Sequence, residues 1–278
     1  MARGAPSVRS IFRSLSCSSL LVVGVSSGTL AGVSSATVAV APHKVKMSLP
    51  RSIPPKPVFL TAGVCGYFGP NNAATCNAGV LKAINNARRT EPLGPVPKTF
   101  DLAAFDRLSR PAQIFAIADI ERTARGLPPM AGLTSQLDAI AERAAVAQTD
   151  PNPKVPLHIT RGGTATAYGS NWAEGAPNPL AADYYWMYDD GLNSPNATCT
   201  KQNRTSCWGH RENILFDWEK PAYCVSGSAV NLLMGVAEVT KGVAFSPSIT
   251  ELFVNDCGRL PTRMLVTWPQ VEKVIFGH

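Results

Sequence analysis

Four histidines occur in this 278-residue chain, and their positions limit where imidazole chemistry can take place. His43 lies in a basic N-terminal stretch and His278 is the final residue, so His158 and His210 are the two available to a folded domain. His210 stands in Trp208-Gly209-His210-Arg211-Glu212-Asn213-Ile214-Leu215, a polar turn entering a helix. An imidazole there can exchange a proton near neutral pH or ligate a metal. A serine and a carboxylate brought to it would make the nucleophile, base and orienting acid of a hydrolase. Two carboxylates would suit glycoside hydrolysis, and Asp189 or Asp190 with Glu212 or Glu174 supply the residue types. Other features weigh against that pair. Glu212 is two helical positions from His210 and points elsewhere. Asp190, directly before Gly191, reads as a helix-end or turn residue. His158, between Leu157 and Ile159, reads as a packed core histidine.

The elements that must position these residues follow from periodicity and breakers. A helix is predicted over residues 72–89, with Val80, Ile84 and Ala87 as its stripe, ended by Pro92, Pro95 and Pro97. Pro111 opens a second helix in which Ile114, Ile117, Ile120 and Ala124 recur, stopped by Gly126 and Pro128-Pro129. Thr134 is the expected N-cap of a third, with Leu137, Ile140, Ala141 and Ala144 on its apolar face. Residues 151–178 read mostly as loop. Asn178-Pro179 starts a fourth helix through Tyr188, with Leu180, Tyr184 and Met187 inward and Tyr185 or Tyr188 toward a cleft. Strands are expected at 222–230, 232–239, 242–246 and 251–255. Helices first and strands last predict an α+β fold, an antiparallel sheet carrying helices.

Composition bounds the setting. The first 59 residues hold seven basic and no acidic side chains, so 19 of the 26 Lys and Arg remain to face 19 Asp and Glu. The folded part is formally neutral, which excludes the basic face that nucleic-acid binding needs. Arg3, Arg9 and Arg13, then an uncharged apolar run, then small residues up to Ala39 have the layout of a secretory signal peptide over 1–39, cut after Ala36 or Ala39. Its removal leaves no transmembrane segment. Residues 40–58, rich in Pro and Lys, form an expected extended linker, and 59–110 an N-terminal extension with a helix. Apart from Cys17, six cysteines (Cys65, Cys76, Cys199, Cys207, Cys224 and Cys257) suit three disulfides in an exported chain. Locality pairs them in that order. Asn196 and Asn203 each begin a glycosylation acceptor pattern.

Gly209-His210-Arg211 followed by Asn213-Ile214-Leu215 resembles the Gly-His-Arg-x-x-Ile-Leu segment of bacterial members of the CAP superfamily, the cysteine-rich secretory, antigen 5 and pathogenesis-related 1 proteins, whose domain is also called SCP. Three further segments follow the family's order. Residues 120–129, with Arg122 and Gly126-Leu127-Pro128-Pro129, resemble its opening helix and exit. Residues 168–175 are similar to its Gly-Glu-Asn-x-Ala segment, and Trp186-Met187-Tyr188-Asp189 to its Trp-x-x-Glu helix. The resemblance implies an α-β-α sandwich over 111–278 with a cleft between helices and sheet. Its cleft positions fall at Ala144, Ser170, Asp189 and His210, where many members carry two histidines and two glutamates that can hold a divalent cation. Here only His210 and Asp189 can ligate, with His158 or Glu174 as further donors, so the resemblance implies no tight metal cofactor.

Three functions remain compatible with these residues. The first is an extracellular binding module whose cleft around His210 takes a small apolar, sterol-like, lipid or cell-wall ligand. The second is a hydrolase of ester, peptide or glycan bonds using Ser170, Asp189 and His210, although Ser170 is in no Gly-x-Ser-x-Gly elbow. The third is a structural protein of the cell wall.

Overall fold

The computed structural model describes residue 65 and residues 73–91, 93–153, 167–216, 232–255 and 263–277. The order is α1 (Ala73–Arg88), α2 (Leu102–Asp106), α3 (Arg110–Thr123), β1 (Gly132–Thr134), α4 (Ser135–Ala147), β2 (Ala167–Glu174), α5 (Pro179–Tyr188), a 3-10 turn (Arg204–Ser206), α6 (Gly209–Leu215), β3 (Leu232–Val239), β4 (Ser248–Asn255), β5 (Met264–Thr267) and α7 (Trp268–Phe276). The described strands form one five-stranded sheet in the order β2-β4-β3-β1-β5. It is antiparallel except for the β1–β3 pair, so the sheet is mixed. Strands in a mixed sheet with helices on both faces make an α+β sandwich.

Strand alternation decides which side chain meets which layer. On β4, Ser248 and Thr250 donate to the Ala145 and Ala141 carbonyls of α4, and Leu252 and Val254 pack with Leu137, Ile140 and Leu233. The intervening Ile249 and Phe253 join the larger core with α3 and α5. α4 can lie this close because Gly235 of β3 has no side chain; a Cβ there would stand 2.3 Å from the Leu137 carbonyl carbon. Its N-cap is Thr134, whose hydroxyl accepts from the Leu137 amide at 3.3 Å.

The larger core lies on the opposite face. α3 buries every residue from Ala112 to Arg122. α5 is buried nearly all round; of the two rings expected toward a cleft, Tyr185 is half-buried and Tyr188 is interior. Tyr188 lies in the interior and donates to Glu121. α1 packs on α5, and α2 on α7. All described residues belong to one compact unit.

Two expectations are corrected. Residues 167–174, read within a loop, form β2. Residues 242–246, read as strand, form the turn between β3 and β4, where Gly242 takes a φ of 73° and Ser246 donates to the Thr240 carbonyl. The strand expected at 222–230 lies outside the described residues, as do His158, Cys224 and Cys257. Among the described residues two disulfides are formed, Cys65–Cys76 and Cys199–Cys207. No described helix is long and apolar enough to cross a membrane.

Candidate functional site

Among the described strands β2 lies at the edge of the sheet, and the site is built where α6 closes over it. Ser170, whose carbonyl points away from β4, accepts from the Asn213 side chain at 2.8 Å. The neighbouring outward amide of Trp172 donates to the Asp150 carboxylate. Side chains thus occupy backbone groups that an open edge would offer to another chain. Asn213 also donates to Asn171 at 2.9 Å, and Asn171 donates to the His210 carbonyl at 3.0 Å and to Glu251 at 2.7 Å.

The remaining motif residues fix α6 from the other side. Arg211 is buried, donates to the Met187 carbonyl at 2.7 Å and to Glu91 at 2.7 Å, and lies over the Tyr188 ring. Arg122 donates to the Ile214 and Phe216 carbonyls, occupying acceptors that the last turn of a helix leaves open. The same guanidinium reaches the Pro128 carbonyl at 3.0 Å. Arg122 thus ties the turn after its own helix to the end of α6. Glu121 and Arg125 complete the frame as a buried ion pair, with Arg88 3.2 Å from Glu121 and Glu91 3.0 Å from Arg125.

His210 sits in the first turn of α6, with its side chain 25% exposed. Its Nδ1 is 2.7 Å from Asp190 Oδ1, and its backbone amide donates to Asp190 Oδ2 at 3.0 Å. The Asp190 carbonyl accepts from Trp208 at 3.0 Å, and its carboxylate accepts from the Asn196 amide. Cys199–Cys207 staples the loop between these residues, directly before Trp208. A carboxylate at the N-terminal end of a helix also meets the exposed amides and the positive end of the dipole. Burial acts to lower the His210 pKa. The charge and hydrogen bond of Asp190, with the charges of Asp150 and Glu251, overcome it and raise the value to about 9. His210 is therefore an imidazolium at neutral pH, donating from Nδ1 to Asp190.

Acidic groups surround this cation. Asp150 is brought near by the chain leaving α4 through Gln148, whose φ is 54°. Glu212 is exposed; burial of its carboxyl and the charge of Asp190 raise its pKa. Asp189 is buried, and burial followed by the Asp190 charge raises it to about 7.

The resemblance-derived set is not brought together in this way. Asp189 makes no hydrogen bond or ion pair with His210 among the described residues; the neighbouring Asp190 does, correcting its reading as a turn residue. α5 ends at Tyr188, and Asp189 has φ −130° and ψ 44°, so helical spacing no longer fixes where either side chain points. Ser170 pairs with Leu252 across the sheet and shares its face with Tyr168, toward α4, whereas Asn171 shares the Glu251 face. Among the described residues its hydroxyl meets neither His210 nor Asp189, so Ser170, Asp189 and His210 form no triad. Ala144 is buried in the last turns of α4 and offers no donor; that end of the helix supplies Asp150 instead. Glu174 is exposed at the end of β2. No cluster of three or more His, Cys, Asp or Glu that could hold a metal ion occurs among the described residues.

Sequence reasoning set Asp190 aside as a helix-end or turn residue and missed Asp150, Glu91 and the Asn171–Asn213 bridge. Asn213 was visible as the polar residue between Glu212 and the apolar Ile214-Leu215, but its partner strand was not. Comparison with known proteins adds no assignment. No family model, curated protein or solved structure matches the chain. What can be said of its function rests on the residues themselves.

Proposed function

We propose that this chain is an exported CAP-type domain that binds a small apolar or cell-envelope ligand beside His210 and does not chemically transform it. The carrying observation is the His210–Asp190 pair. It is a charged, partly open group held from three sides, at 2.7 Å, with no aligned nucleophile among the described residues. Catalysis by a histidine base needs its acceptor nitrogen free and a nucleophile within hydrogen-bond reach. An imidazolium with a raised pKa is a donor to a ligand oxygen and a poor base at neutral pH. Tyr185, half-buried near the end of α5, offers amphipathic surface for an apolar or sugar-bearing ligand.

Export is supported by two disulfides, which persist in oxidising compartments. CAP membership is supported by the four ordered motifs and by the way Arg122 of one holds the α6 carbonyls of another. The hydrolase reading has a histidine–carboxylate pair in its favour but lacks its serine, because Ser170 lies on the other side of β2.

Titrating a cell-envelope lipid extract into the full chain, read by tryptophan fluorescence, tests the proposal. Saturable binding that weakens in His210→Gln is expected. Turnover of an ester or peptide substrate that vanishes in His210→Gln, with no saturable binding, would overturn it.

A further inference from the structure

The interior behind His210 holds more carboxyl groups than it has partners for. Asp183, on α5, is 1% exposed, and neither of its carboxyl oxygens has a hydrogen-bond partner among the described residues. Glu251, on β4 and equally buried, accepts one bond from Asn171 while its Oε2 has no such partner. Every element around them contributes titratable or charged groups: Arg88 from α1, Glu91 after it, Asp119, Glu121, Arg122 and Arg125 at α3, Tyr188 from α5, and His210 and Arg211 from α6.

The cations among these are committed elsewhere. Arg88 and Arg125 hold Glu121, Arg125 and Arg211 hold Glu91, and Arg122 reaches backbone carbonyls. Burial works against ionisation of Glu121, yet Arg88 and Arg125 keep it charged, with a pKa of about 2. Asp183 therefore faces an ionised Glu121 and a second acid, Glu251, with no donor of its own. Two uncompensated carboxylates in a closed interior would each carry a large desolvation penalty and repel one another.

We propose that Asp183 and Glu251 are a proton-holding pair in the core, neutral carboxylic acids at neutral pH, which makes the packing of α5 against the sheet sensitive to alkaline conditions. The device does not depend on what His210 binds. Burial, then the charges of Glu121 and Glu251, raise Asp183 well above the usual carboxylate range, against the smaller opposing charges of Arg125 and Arg88. Burial raises Glu251 to about 8, against the Asn171 hydrogen bond and the His210 charge, with Asp119 adding to the rise. A group whose folded pKa is raised contributes stability that is fully present below its unfolded value. That contribution is lost as pH rises through the folded value, which for Glu251 spans about 4 to about 8.

Urea unfolding of the full chain between about pH 5 and about pH 8 tests this, comparing wild type with Asp183→Asn and Glu251→Gln. In wild type the folding equilibrium constant should fall by up to about tenfold per pH unit for each proton held. Each variant should flatten that dependence by one group and exceed wild type in stability at the alkaline end. The wild-type infrared spectrum at neutral pH should also show the carbonyl band of protonated carboxylic acid, fading as pH rises. Slopes unchanged in both variants, or absence of that band in wild type, would overturn the proposal. If a variant does not fold, the wild-type band decides.

Discussion

Asp190→Asn keeps the shape of the side chain beside His210 and removes its charge. Asp190, through its charge and hydrogen bond and with smaller help from Asp150 and Glu251, raises the His210 pKa from 6.5 to about 9 against an opposing burial effect. A rise of that size corresponds to about 3 kcal/mol of extra interaction with the protonated ring. A quarter of the side chain remains in solvent, which brings the figure nearer to about 2 kcal/mol. Because the folded pKa is raised, this stability is fully present below the ordinary histidine value and is lost as pH rises through about 9. The variant should therefore be less stable than wild type by about 2–3 kcal/mol near pH 6. Above about pH 9 the gap should narrow to about 1 kcal/mol, left by the weaker hydrogen bonds to the His210 and Asn196 donors. Chemical denaturation at the two pH values measures the gap, and an NMR titration of the His210 ring should show its pKa falling toward the ordinary value. An equal loss of stability at both pH values, or an unmoved ring titration, would refute the electrostatic account of the pair.

Removing the Cys199–Cys207 bridge, which spans a separation of eight residues, should lower stability by about 2.5 kcal/mol and loosen Trp208, read by denaturation and tryptophan fluorescence. Gly235→Ala should cost at least about 3 kcal/mol, because the new Cβ meets the Leu137 backbone rather than a movable side chain; a near-neutral melting shift would show that α4 can retreat. Asn213→Ala should cost about 1–2 kcal/mol and raise amide exchange along β2, since it frees the Ser170 carbonyl and the Asn171 side chain. Ser170→Ala should leave the His210 titration and any labelling by serine-reactive probes unchanged, and labelling that it abolishes would restore the hydrolase reading.

The helices were legible because their signals are local. Thr134 caps α4 through its own hydroxyl, and Gly126, with φ 70°, lies just past the end of α3. The strands were less so. β2 carries Gly169, Ser170 and Asn171, which have poor strand propensity, and it holds its place through β4 and the Asn213 tether, 42 or 43 residues away. β4 buries all eight residues, so no burial alternation marks its start and the expected strand covers only 251–255 of it. At the site, His210 was legible from its scarcity and its motif. Asp190 was not, because the residue that reaches the ring is chosen by how the chain leaves α5, beyond any helical period. The spacing that places Asp189 in register with a family position ignores that exit. Glu91 was likewise hidden: nothing local to residues 88–94 signals that a carboxylate there will hold Arg125 and Arg211.

The central claim is that His210 and its surroundings bind rather than catalyse. The most direct test is a native mass spectrum of the full chain recovered from the medium of cells that export it, beside the spectrum of the Asp190→Asn, His210→Gln double variant. The account predicts a non-covalent adduct on wild type that disappears on denaturation and is absent from the double variant. A bare wild-type mass, or the same adduct retained by the double variant, would contradict it.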